Sequence, residues 1–580
     1  MKSPLFRYLG LLLSAITLSF AQYPNAPVQY IFMQGNNINT VVGTNGIFNY
    51  DKVTFSSATA GFIWPATGIQ RLTSVYASGI WIGAKVGPQR ELRLAASWFN
   101  SHYSPGNIPV IGQVPSSSVC SDPSWRGYYV QLADPTLFNG GTRYKTAGNR
   151  QYTFNYDSWA NWPVAKGAPY VEVNGIPGYQ PEWNGDRPGI GNGMTARPEE
   201  LLFMVYMDYT NCTNNNHLSE ISLPGGTLPL GVEVHQISFM FNCNPLRDVF
   251  FTKYRIINKS ALSWDSVYVS NLNDIDLGES NDDMMGCDSL RNLSFQLNGN
   301  NNDAVYGANP PAVGTRVLQS PIRFTGNLND TAKLPYDTLP GYKLTGLTGF
   351  NSFGSSTNEC LGDPDEAIRA YYFMTGTNGC NVPLINFATG KQTRFRFSGD
   401  ACQRTGWYDS IPQDKRTISS MGPTSMNISD TQIILLSYLI TRDGGNNFQN
   451  VCALQSLSDS ALKYYYNDFK TCVPIGIEPI SSEIPQKYEL LQNYPNPFNP
   501  MTKFKFSIPL LRGVAGEAGR GVLLKVYDVL GKEIAVLVNE NLKPGIYEIE
   551  WDASNIPSGV YFYSLITNEF TQTKKMVVLK

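Results

Sequence analysis

The sequence of 580 residues is poor in charge and in histidine. Charged side chains make up 16% of it, against about 25% in ordinary soluble proteins. The formal net charge is −2 and no basic stripe is visible, so nucleic-acid binding is not predicted. Three histidines occur, none in an HExxH motif, and no GxSxG elbow is present. These absences exclude the commonest metalloprotease and α/β-hydrolase sites.

Long apolar runs and repeats are also missing. No segment reaches the ~20 apolar residues of a transmembrane helix, so the mature chain is predicted to contain no membrane span. The apolar segment Ile433–Ile440 is too short, and we interpret it as a buried strand. No internal repeat with a period of about 20–50 residues is visible, which argues against a propeller or a solenoid.

The cysteines lack the CxxC spacing of zinc-knuckle and thioredoxin-like sites. Nine cysteines occur, all before residue 473, and disulfides are expected in an exported protein. Because nine is an odd number, at least one thiol has no partner within the chain. Proximity in sequence makes Cys360–Cys380 and Cys452–Cys472 the first candidates for pairs, with buried free cysteines as the alternative.

The abundant residues point to β-structure. Aromatic residues reach 12%, with 33 Tyr, and the chain contains 52 Gly and 37 Pro. Aromatic strands separated by Gly, Pro and Asn turns are typical of β-rich chains, and the aromatic content favours packed cores over disorder. The predicted fold class is mainly β, a multidomain β-sandwich-type architecture with a few short helices.

The N-terminus has the pattern of a secretory signal peptide. Lys2 and Arg7 supply positive charge, Leu9–Phe20 is a short apolar region, and a small-x-small sequence ends at Ala21. These are the three parts of a cleavable signal. We therefore predict cleavage between Ala21 and Gln22.

Several segments of the middle region are predicted to be strands. Gly79–Val86 begins with glycine and is rich in β-branched residues, and Leu201–Met207 is a continuous apolar run. A run of the latter kind indicates a strand buried on both faces. Val249–Ile257 shows alternation, and we predict a hairpin between it and the next strand, Asp265–Ser270.

Two helices are predicted in the same region. The first follows Asp363, a capping residue with a proline next to it and Glu366 three positions on. The second spans Ser458–Phe469, where apolar residues recur on one face.

The C-terminal region carries a set of short motifs. A Pro/Asn-rich entry is followed by a Val-Tyr-Asp-x-x-Gly strand and turn, a Ser-Gly-Val-Tyr strand and a final Lys-Met-Val-Val-Leu-Lys. The motif residues are Tyr494, Pro495, Asn496, Pro497, Phe498, Asn499, Pro500, Tyr527, Asp528, Gly531, Gly559, Tyr561, Lys575, Met576 and Lys580. The prolines fix φ and lack a backbone donor, so the entry cannot continue a strand ladder.

These motifs closely resemble the type A C-terminal sorting domain of the type IX (Por) secretion system. The resemblance implies a small immunoglobulin-like β-sandwich that is recognised by the outer-membrane translocon. It also implies removal by a sortase-like peptidase as the cargo is attached to surface lipopolysaccharide or released. The expected location is extracellular or on the outer cell surface, reached through the periplasm. A loop at 513–521 is longer and richer in glycine than is usual in this family.

The predicted organisation has four parts. A signal peptide occupies 1–21, and a large mainly-β secreted region with one or two subdomains occupies 22–475. This region more loosely resembles other secreted regions that precede such sorting domains. A linker with Pro/Ser character follows at 476–485, and the sorting domain occupies 486–580.

An acidic segment in the middle region is the strongest candidate for chemistry. Asp, Glu and Asn side chains close to glycines can supply the roughly six to eight oxygen ligands that Ca²⁺ prefers, although the spacing does not match an EF-hand. The predicted ligands are Asp274, Asp276, Asn281, Asp282, Asp283 and Asp288. The alternative is a solvated acidic loop with Asx turns.

The middle region is predicted to be a structural or binding module, because it has no recognisable catalytic motif. An adhesin or a subunit of an extracellular assembly fits its low charge, and glycans or further copies of the chain are the expected partners. The alternative is a hydrolase acting on extracellular polysaccharide, which needs a pair of carboxylates. Glu172, Glu182, Asp186 and Asp208 lie near an aromatic-rich segment at 159–183. That segment would suit a sugar-stacking surface, but ordinary aromatic packing is favoured.

Overall fold

The structure is a computed structural model of the chain. It describes residues 28–54, 57–66, 71–132, 141–147, 150–219, 223–354, 358–469, 479–481, 485–509, 520–542, 544–553, 556–567 and 569–579. The predicted signal peptide, most of the glycine-rich loop, Cys472 and Lys580 lie outside these residues. The chain forms two compact units, Met1–Thr471 and Cys472–Lys580.

The N-terminal unit is built mainly from strands. In chain order they are β1 (Tyr30–Met33), β2 (Thr40–Gly43), β3 (Tyr50–Asp51), β4 (Thr59–Ala60), β5 (Phe62–Ile63), β6 (Thr73–Val75), β7 (Ala77–Val86), β8 (Glu91–Ala95), β9 (Ser104–Pro105), β10 (Tyr128–Gln131), β11 (Gly141–Ala147), β12 (Arg150–Tyr156), β13 (Tyr170–Val171), β14 (Arg187–Pro188), β15 (Glu200–Met207), β16 (Val232–Met240), β17 (Val249–Asn258), β18 (Trp264–Asp274), β19 (Asp283–Asp288), β20 (Leu293–Asn298), β21 (Asn302–Asp303), β22 (Gly307–Ala308), β23 (Ala312–Gln319), β24 (Ile322–Phe324), β25 (Thr331–Lys333), β26 (Thr338–Pro340), β27 (Tyr342–Leu344), β28 (Gly349–Phe353), β29 (Leu384–Asn386), β30 (Lys391–Thr393), β31 (Arg416–Met426) and β32 (Thr431–Thr441). The mainly-β prediction is confirmed.

Two antiparallel sheets form the centre of this unit. The larger has nine strands in the order β10-β15-β16-β17-β32-β23-β20-β19, with β9 beside β15. The smaller has five strands in the order β28-β31-β18-β7-β8. The remaining strands pair in short two-stranded sheets. Most central neighbours are far apart in sequence, so the sheets depend on non-local pairing.

An apolar core lies between the two sheets. The larger sheet contributes Val234, Tyr254 and Leu436 to it, and the smaller contributes Ile82 and Val269. Each of these residues is at most 1% exposed. Burying one such side chain contributes roughly 1.5–3 kcal/mol, and the facing of these two apolar surfaces defines a sandwich.

The helices are few. They are α1 (Ser117–Cys120), α2 (Pro181–Asn184), α3 (Ala367–Met374) and α4 (Asn447–Tyr466), with 3₁₀ turns at Trp159–Asn161, Val164–Lys166, Thr210–Cys212, Leu246–Asp248 and Ser280–Asp282. Helix α3 packs on the smaller sheet, with Phe373 in one cluster with Trp81. Helix α4 lies against the larger sheet, where the hydroxyl of Tyr465 donates to Gln319 Oε1 at 2.7 Å.

Both predicted helices exist, but their starts differ from the prediction. The first begins at Ala367, because Glu366 and not Asp363 is its N-cap, and the Glu366 side chain makes no cap hydrogen bond. The second begins at Asn447, where the Asn446 side chain accepts from Gln449 N at 3.0 Å. An Asn cap of this kind satisfies one of the free N–H groups of the first turn.

Strands covered on both sides are buried throughout. All residues of β15 are buried, as the continuous apolar run at 201–207 predicted. Strand β7 approaches its neighbour so closely that a Cβ on Gly79 would lie 2.0 Å from the carbonyl oxygen of Ser97. Glycine at position 79 is therefore required by close packing of two backbones.

The predicted hairpin of 249–257 with 265–270 is wrong. Strand β17 pairs with β16 and β32 in the larger sheet, whereas β18 pairs with β7 and β31 in the smaller one. The connection therefore crosses between the two layers. Both strands are buried along most of their length, so alternation alone could not identify their partners.

Three disulfides join described cysteines. They are Cys120–Cys212, Cys360–Cys380 and Cys402–Cys452. The pair Cys360–Cys380 is as predicted. The predicted pair Cys452–Cys472 is wrong, because α4 brings Cys452 against Cys402. Among the described cysteines Cys287 is free and buried, in agreement with the odd count.

The C-terminal unit contains eight strands. They are β33 (Pro479–Ser481), β34 (Glu489–Leu490), β35 (Met501–Ile508), β36 (Arg520–Tyr527), β37 (Glu533–Leu542), β38 (Gly545–Asp552), β39 (Gly559–Thr567) and β40 (Thr571–Val578). They form two four-stranded antiparallel sheets, β33-β38-β35-β34 and β37-β36-β39-β40. One core joins them and contains Phe504, Phe506, Tyr547 and Tyr563, each at most 2% exposed.

Part of the predicted linker belongs to this unit. Strand β33 lies within 476–485, yet it pairs with β38, with Pro479 opposite Tyr547 and Ser481 opposite Ile546. Three residues of the segment are therefore an edge strand of the C-terminal sandwich. Proline is compatible with an edge strand because its missing N–H faces away from the ladder.

Candidate functional site

The first and last motifs of the C-terminal unit meet in space. Asn496 Oδ1 accepts from Val577 N at 2.9 Å, and its amide Nδ2 donates to Lys575 O at 3.4 Å. Phe498 N donates to Val577 O at 3.1 Å, and its own carbonyl accepts from Leu579 N at 2.9 Å. The Pro/Asn entry therefore runs beside the final strand, so the two motifs form one continuous surface.

Below this surface the motif residues serve the fold. Phe498 is 3% exposed and Met576 is fully buried in the sandwich core. The hydroxyl of Thr502 donates to Pro495 O at 2.8 Å, and Pro500 O accepts from Ala553 N at 2.9 Å. These bonds hold the entry in place although it contributes no ladder of its own.

The exposed part of the same motif faces solvent. Tyr494 is 79% exposed, and Pro495, Pro497, Asn499 and Lys575 are also exposed. We call these five residues the entry surface. Tyrosine is among the residues that are enriched at protein–protein interfaces.

The remaining motif residues make a turn and a strand. Asp528 Oδ1 accepts from Leu530 N at 2.8 Å and from Lys532 N at 2.9 Å, and Gly531 has a positive φ of 82°, which favours glycine. In β39 the hydroxyl of Tyr561 donates to Pro557 O at 3.0 Å. These motif residues fix backbone geometry, and Gly559 begins the strand β39.

An acidic cluster lies at one end of the smaller sheet in the N-terminal unit. Strand β18 ends at Asp274, which lies opposite Arg416, the first residue of β31. Because the strands are antiparallel, the residues just after β18 meet the residues just before β31. Ligand atoms of Asp274, Asp276 and Asp414 consequently lie within 4.8 Å of one another.

One guanidinium serves all of these carboxylates. Arg416 Nε lies 3.2 Å from Asp274 Oδ1 and its Nη1 lies 3.5 Å from Asp414 Oδ2. Asp274 is 3% exposed, yet its Oδ1 makes no hydrogen bond among the described residues, nor does the buried Oδ1 of Asp414. A fourth carboxyl group, Asp363, interacts electrostatically with Asp274, Asp414 and Arg416. The cluster thus gathers four carboxyl groups around a single positive charge.

Burial and mutual repulsion raise the pKa values in this cluster. Burial is the main cause of the raised pKa of Asp274. Arg416 opposes it, and the charges of the neighbouring carboxylates add to it. The pKa of Asp276 is raised to about 6, first by burial and then by the charge of Asp414. Burial also raises the pKa of Asp363. A cation that binds oxygen would favour the charged form of each group.

The structure gathers only part of the predicted calcium site. Asp274 and Asp276 belong to the cluster, but Asp282, Asp283 and Asp288 do not belong to it. Asp283 Oδ2 accepts from Leu277 N at 3.0 Å, and Asp288 pairs with Arg291 at 2.8 Å. The remaining two predicted ligands are also engaged elsewhere. Asn281 Nδ2 donates to Glu279 Oε1 at 2.9 Å, and Asp282 Oδ2 accepts from Asn298 Nδ2 at 3.0 Å.

Asp414 was missed from the sequence for a physical reason. It is 140 positions from Asp274 in the sequence, and only the pairing of β18 with β31 brings the two together. It is followed by Lys415 and Arg416, so its local sequence is of mixed charge and gives no sign of a ligand. To predict Asp414 as a ligand, one would first have to predict that β18 pairs with β31 and in which register.

The carboxylates named for a hydrolase have structural contacts. Asp208 is fully buried and accepts from the backbone N–H groups of Leu230, Gly231 and Val232. The side chain of Glu182 lies outside the described part of the chain, and Glu172 accepts from the hydroxyl of Tyr170 at 3.0 Å. Asp208 therefore ties two backbone segments together and does not face Glu172 across an open site.

The connection between β13 and β14, a loop that includes the short helix α2, presents apolar side chains to solvent. Asp186 is fully buried and accepts from Val173 N at 3.0 Å and Gln180 N at 2.9 Å, which fixes the loop. Trp183 is 84% exposed, Val173 53% and Ile176 50%. We call these three residues the loop surface. The aromatic residues of the segment 159–183 differ in exposure. Trp159 and Trp162 are buried, as ordinary aromatic packing predicted, whereas Trp183 is exposed.

The two-sheet C-terminal unit and its joined terminal motifs define a module that directs an exported chain. Residues 492–579 match the family described as secretion system C-terminal sorting domain. The C-terminal unit is thus a type IX sorting domain, as the sequence motifs indicated. The chain is a substrate of the type IX secretion machinery, with a destination at the cell surface or in the extracellular space. No helix among the described residues is long and apolar enough to cross a membrane.

Comparisons with other proteins add little about the N-terminal unit. No curated protein matches the chain. Among solved structures, a polysaccharide lyase has 7% identity and a TM-score of 0.17, with 60% of this chain and 34% of the lyase covered. The adhesin domain of Epf from Streptococcus pyogenes has 8% identity and a TM-score of 0.12, covering 58% of this chain and 82% of that one. PorZ, a surface component of the type IX system of Porphyromonas gingivalis, has 10% identity and a TM-score of 0.12, covering 95% and 75%. The chain spans about a third of the lyase, and likenesses this weak carry no argument about activity.

Proposed function

We propose that the N-terminal unit is a binding module that the sorting domain delivers to the outer cell surface. The loop surface carries this proposal, because Trp183 is 84% exposed on a loop that buried Asp186 holds in place. An exposed indole on a fixed loop offers a flat apolar face at little entropic cost, as in sugar-stacking and adhesive surfaces. Polysaccharide or another surface protein is the class of partner.

A binding assay with a matched variant tests this role. The full chain is applied to immobilised polysaccharides, neutral and acidic, beside Trp183→Ala and the control Phe387→Ala. Phe387 is 82% exposed on a different segment. We expect Trp183→Ala alone to lose at least about tenfold in affinity, because truncating a tryptophan that anchors a binding surface costs about 2 kcal/mol or more. Equal binding by all three chains would contradict the proposal.

We further propose that the entry surface is read by the translocon and that a sortase-like peptidase then removes the domain. Deletion of residues 476–580 should leave the product in the periplasm of the native host, while the full chain reaches the surface or the medium. Asn496→Ala should reduce export as well, because Asn496 joins the entry to the final strand. Trp183→Ala is the matched control and should be exported normally. Normal export of the deletion product would overturn the assignment.

We propose that the acidic cluster binds Ca²⁺ and fixes the ends of β18 and β31. Three carboxylates within 4.8 Å supply the hard oxygen ligands that Ca²⁺ prefers, and Arg416 offsets only one of their charges. Titration calorimetry on the EDTA-treated chain should detect Ca²⁺ binding, and Asp276→Asn should abolish it. Asp337→Asn, an exposed aspartate elsewhere in the unit, should not change it. Absence of calcium binding by the wild-type chain would exclude the site.

A polysaccharide hydrolase is the second candidate function. The raised pKa of Asp276, to about 6, beside two further carboxyl groups is the property expected of a general acid. Release of reducing sugar from the polysaccharides used above, lost in Asp276→Asn and kept in Trp183→Ala, would favour this activity over a purely structural cluster. No release from any of them would favour the binding module.

A further inference from the structure

A pocket of about 350 Å³ lies on the outer face of the larger sheet. Its walls include Glu233 and His235 of β16, Arg255 of β17, and Lys259 just after β17. Lys166, from the 3₁₀ turn at Val164–Lys166, completes the charged lining. The volume is at the lower end of the range for small-molecule sites. The acidic cluster and the loop surface contribute no residue to it.

The lining carries an excess of positive charge. Three cations, Lys166, Arg255 and Lys259, face a single carboxylate, Glu233. That carboxylate is already engaged, because Glu233 accepts from His235 Nε2 at 2.9 Å and from Ile108 N at 2.7 Å. Lys259 Nζ lies 3.9 Å from it, too far for a hydrogen bond. Among the lining residues the cations therefore outnumber the carboxylates, although Asp122, outside the lining, also acts on Lys166.

Arg255 lines this pocket from a central strand of the larger sheet. It is the one exposed residue of β17, a strand otherwise buried, and it lies between His235 of β16 and Ile433 of β32. A guanidinium on a central strand has its base fixed by the sheet, which favours two-point binding of a planar carboxylate or of a phosphate.

The sheet beneath the pocket is also cationic. Lys253, two residues before Arg255 on the same face, is 5% exposed and donates to Ile190 O at 2.8 Å. Burial, with a further contribution from Arg255, lowers the pKa of Lys253 to about 7. A bound anion would relieve the repulsion between these two side chains.

Lys166 and Gly167 form a further wall of the pocket. Gly167 has a positive φ of 88°, and a Cβ there would lie 2.7 Å from His235 Cε1. Glycine thus lets the turn approach the imidazole. Lys166 Nζ is held by Ser124 Oγ at 2.9 Å and by the ring of Trp125 at 3.6 Å from its centroid. These two contacts hold the ammonium group of Lys166 in one position.

We propose that this pocket binds a small molecule through an oxyanion group, a carboxylate or a phosphate, which Arg255, Lys259 and Lys166 hold. The hydroxyl groups of Ser429 and Thr431 also line the pocket and can donate further hydrogen bonds. The ligand is small because the pocket is small, and anionic because the lining has no free carboxylate to bind a cation.

Calorimetry with the full chain tests the proposal. The probes are sodium galacturonate for a carboxylate, inorganic phosphate for a phosphate, and galactose as the uncharged control. Arg255→Gln and Lys259→Gln should each weaken binding of the anion at least about tenfold. Arg323→Gln, an exposed arginine on β24, should leave it unchanged, and galactose should not bind.

The two anionic probes distinguish the source of the ligand. Binding of galacturonate alone identifies a carboxylate ligand, and binding of phosphate alone identifies a phosphorylated one. The proposal is overturned if neither anion binds in the millimolar range, or if both pocket variants bind as the wild type does. If Arg255→Gln lowers the melting temperature, its weaker binding could come from loss of folding. The test then rests on Lys259→Gln, because Lys259 lies outside the strand.

Discussion

The two units of this chain expose their strands to water in different ways. In the sorting domain β35 alternates between exposed or half-buried and buried residues along its whole length, because one face of its sheet is in solvent. In the N-terminal unit β15 and β16 are buried at every position, because side chains cover both faces. The three disulfides between described cysteines all lie in the N-terminal unit. The larger unit gains stability from sheets that are covered on both faces and from disulfides, and the smaller from one core between its two sheets.

Substitutions in the two cores should change the free energy of unfolding most, and they test whether the two units are stabilised independently. Phe250→Ala and Phe504→Ala each remove a fully buried ring, one from β17 and one from β35. Each should reduce the free energy of unfolding of its own unit by about 3–5 kcal/mol. Hydrogen exchange, resolved by strand, should show loss of protection in that unit alone. Phe324→Ala, 68% exposed, is the control and should change little. Loss of protection in both units from one substitution would show that they do not unfold separately.

Removal of a disulfide should affect only the larger unit. Cys402–Cys452 closes a loop that spans 50 residues, and its loss should lower stability by about 2–4 kcal/mol. The double variant Cys402→Ser, Cys452→Ser is measured by denaturant unfolding. Cys360→Ser, Cys380→Ser should cost less, because that loop spans 20 residues. A chain that loses nothing in either variant would mean that packing alone sustains the unit.

Calcium should raise the stability of the N-terminal unit only. At a free concentration of about 100 times Kd, a ligand specific for the folded state adds about 2.7 kcal/mol. Melting of the EDTA-treated chain with and without Ca²⁺ measures this. The shift should vanish in Asp276→Asn and persist in Asp337→Asn. A shift that survives Asp276→Asn would place the ion elsewhere.

The smallest effect is a pH dependence confined to the metal-free acidic cluster. The pKa of Asp276 is raised to about 6 in the folded chain, above its ordinary value of about 3.9. The folded state then holds the proton more tightly, so its contribution to stability is present below about pH 4 and is lost as pH rises through about 6. The full shift corresponds to about 3 kcal/mol, and solvent screening of this half-buried side chain makes the measured loss smaller. Asp276→Asn should flatten this part of the profile, and an unchanged slope would contradict the assignment.

The contrast between the units also decided what could be predicted from the sequence. In β35 the buried Phe504 and Phe506 alternate with Lys503 and Lys505, and a pattern with one apolar side can specify both a strand and its buried face. In the larger unit, the buried strands were recognised at 79–86 and 201–207, but not their partners. A strand that is apolar on both faces has no pattern that specifies its neighbour.

The same limit applies to the candidate sites. Asp274 and Asp276 were found because they are adjacent in sequence, whereas Asp414 depends on a non-local pairing. The charged pocket likewise draws Lys166 from a turn and Arg255 from a strand far along the chain. Sorting motifs could be recognised because their residue order is itself diagnostic, although the bond from Asn496 to Val577 became visible only in the fold.

The strand at 479–481 has a consequence for how the two units can be separated. A cut at the bonds after Ser481 would leave three residues of the sandwich on the cargo and expose the edge of β38. An unpaired strand edge is a template for association with other chains. A cut before Pro479 would instead release a complete domain and a clean carboxyl terminus. If the domain is removed as proposed, the position of the scissile bond determines whether the released domain has a complete sheet or an unpaired strand edge that can associate with other chains.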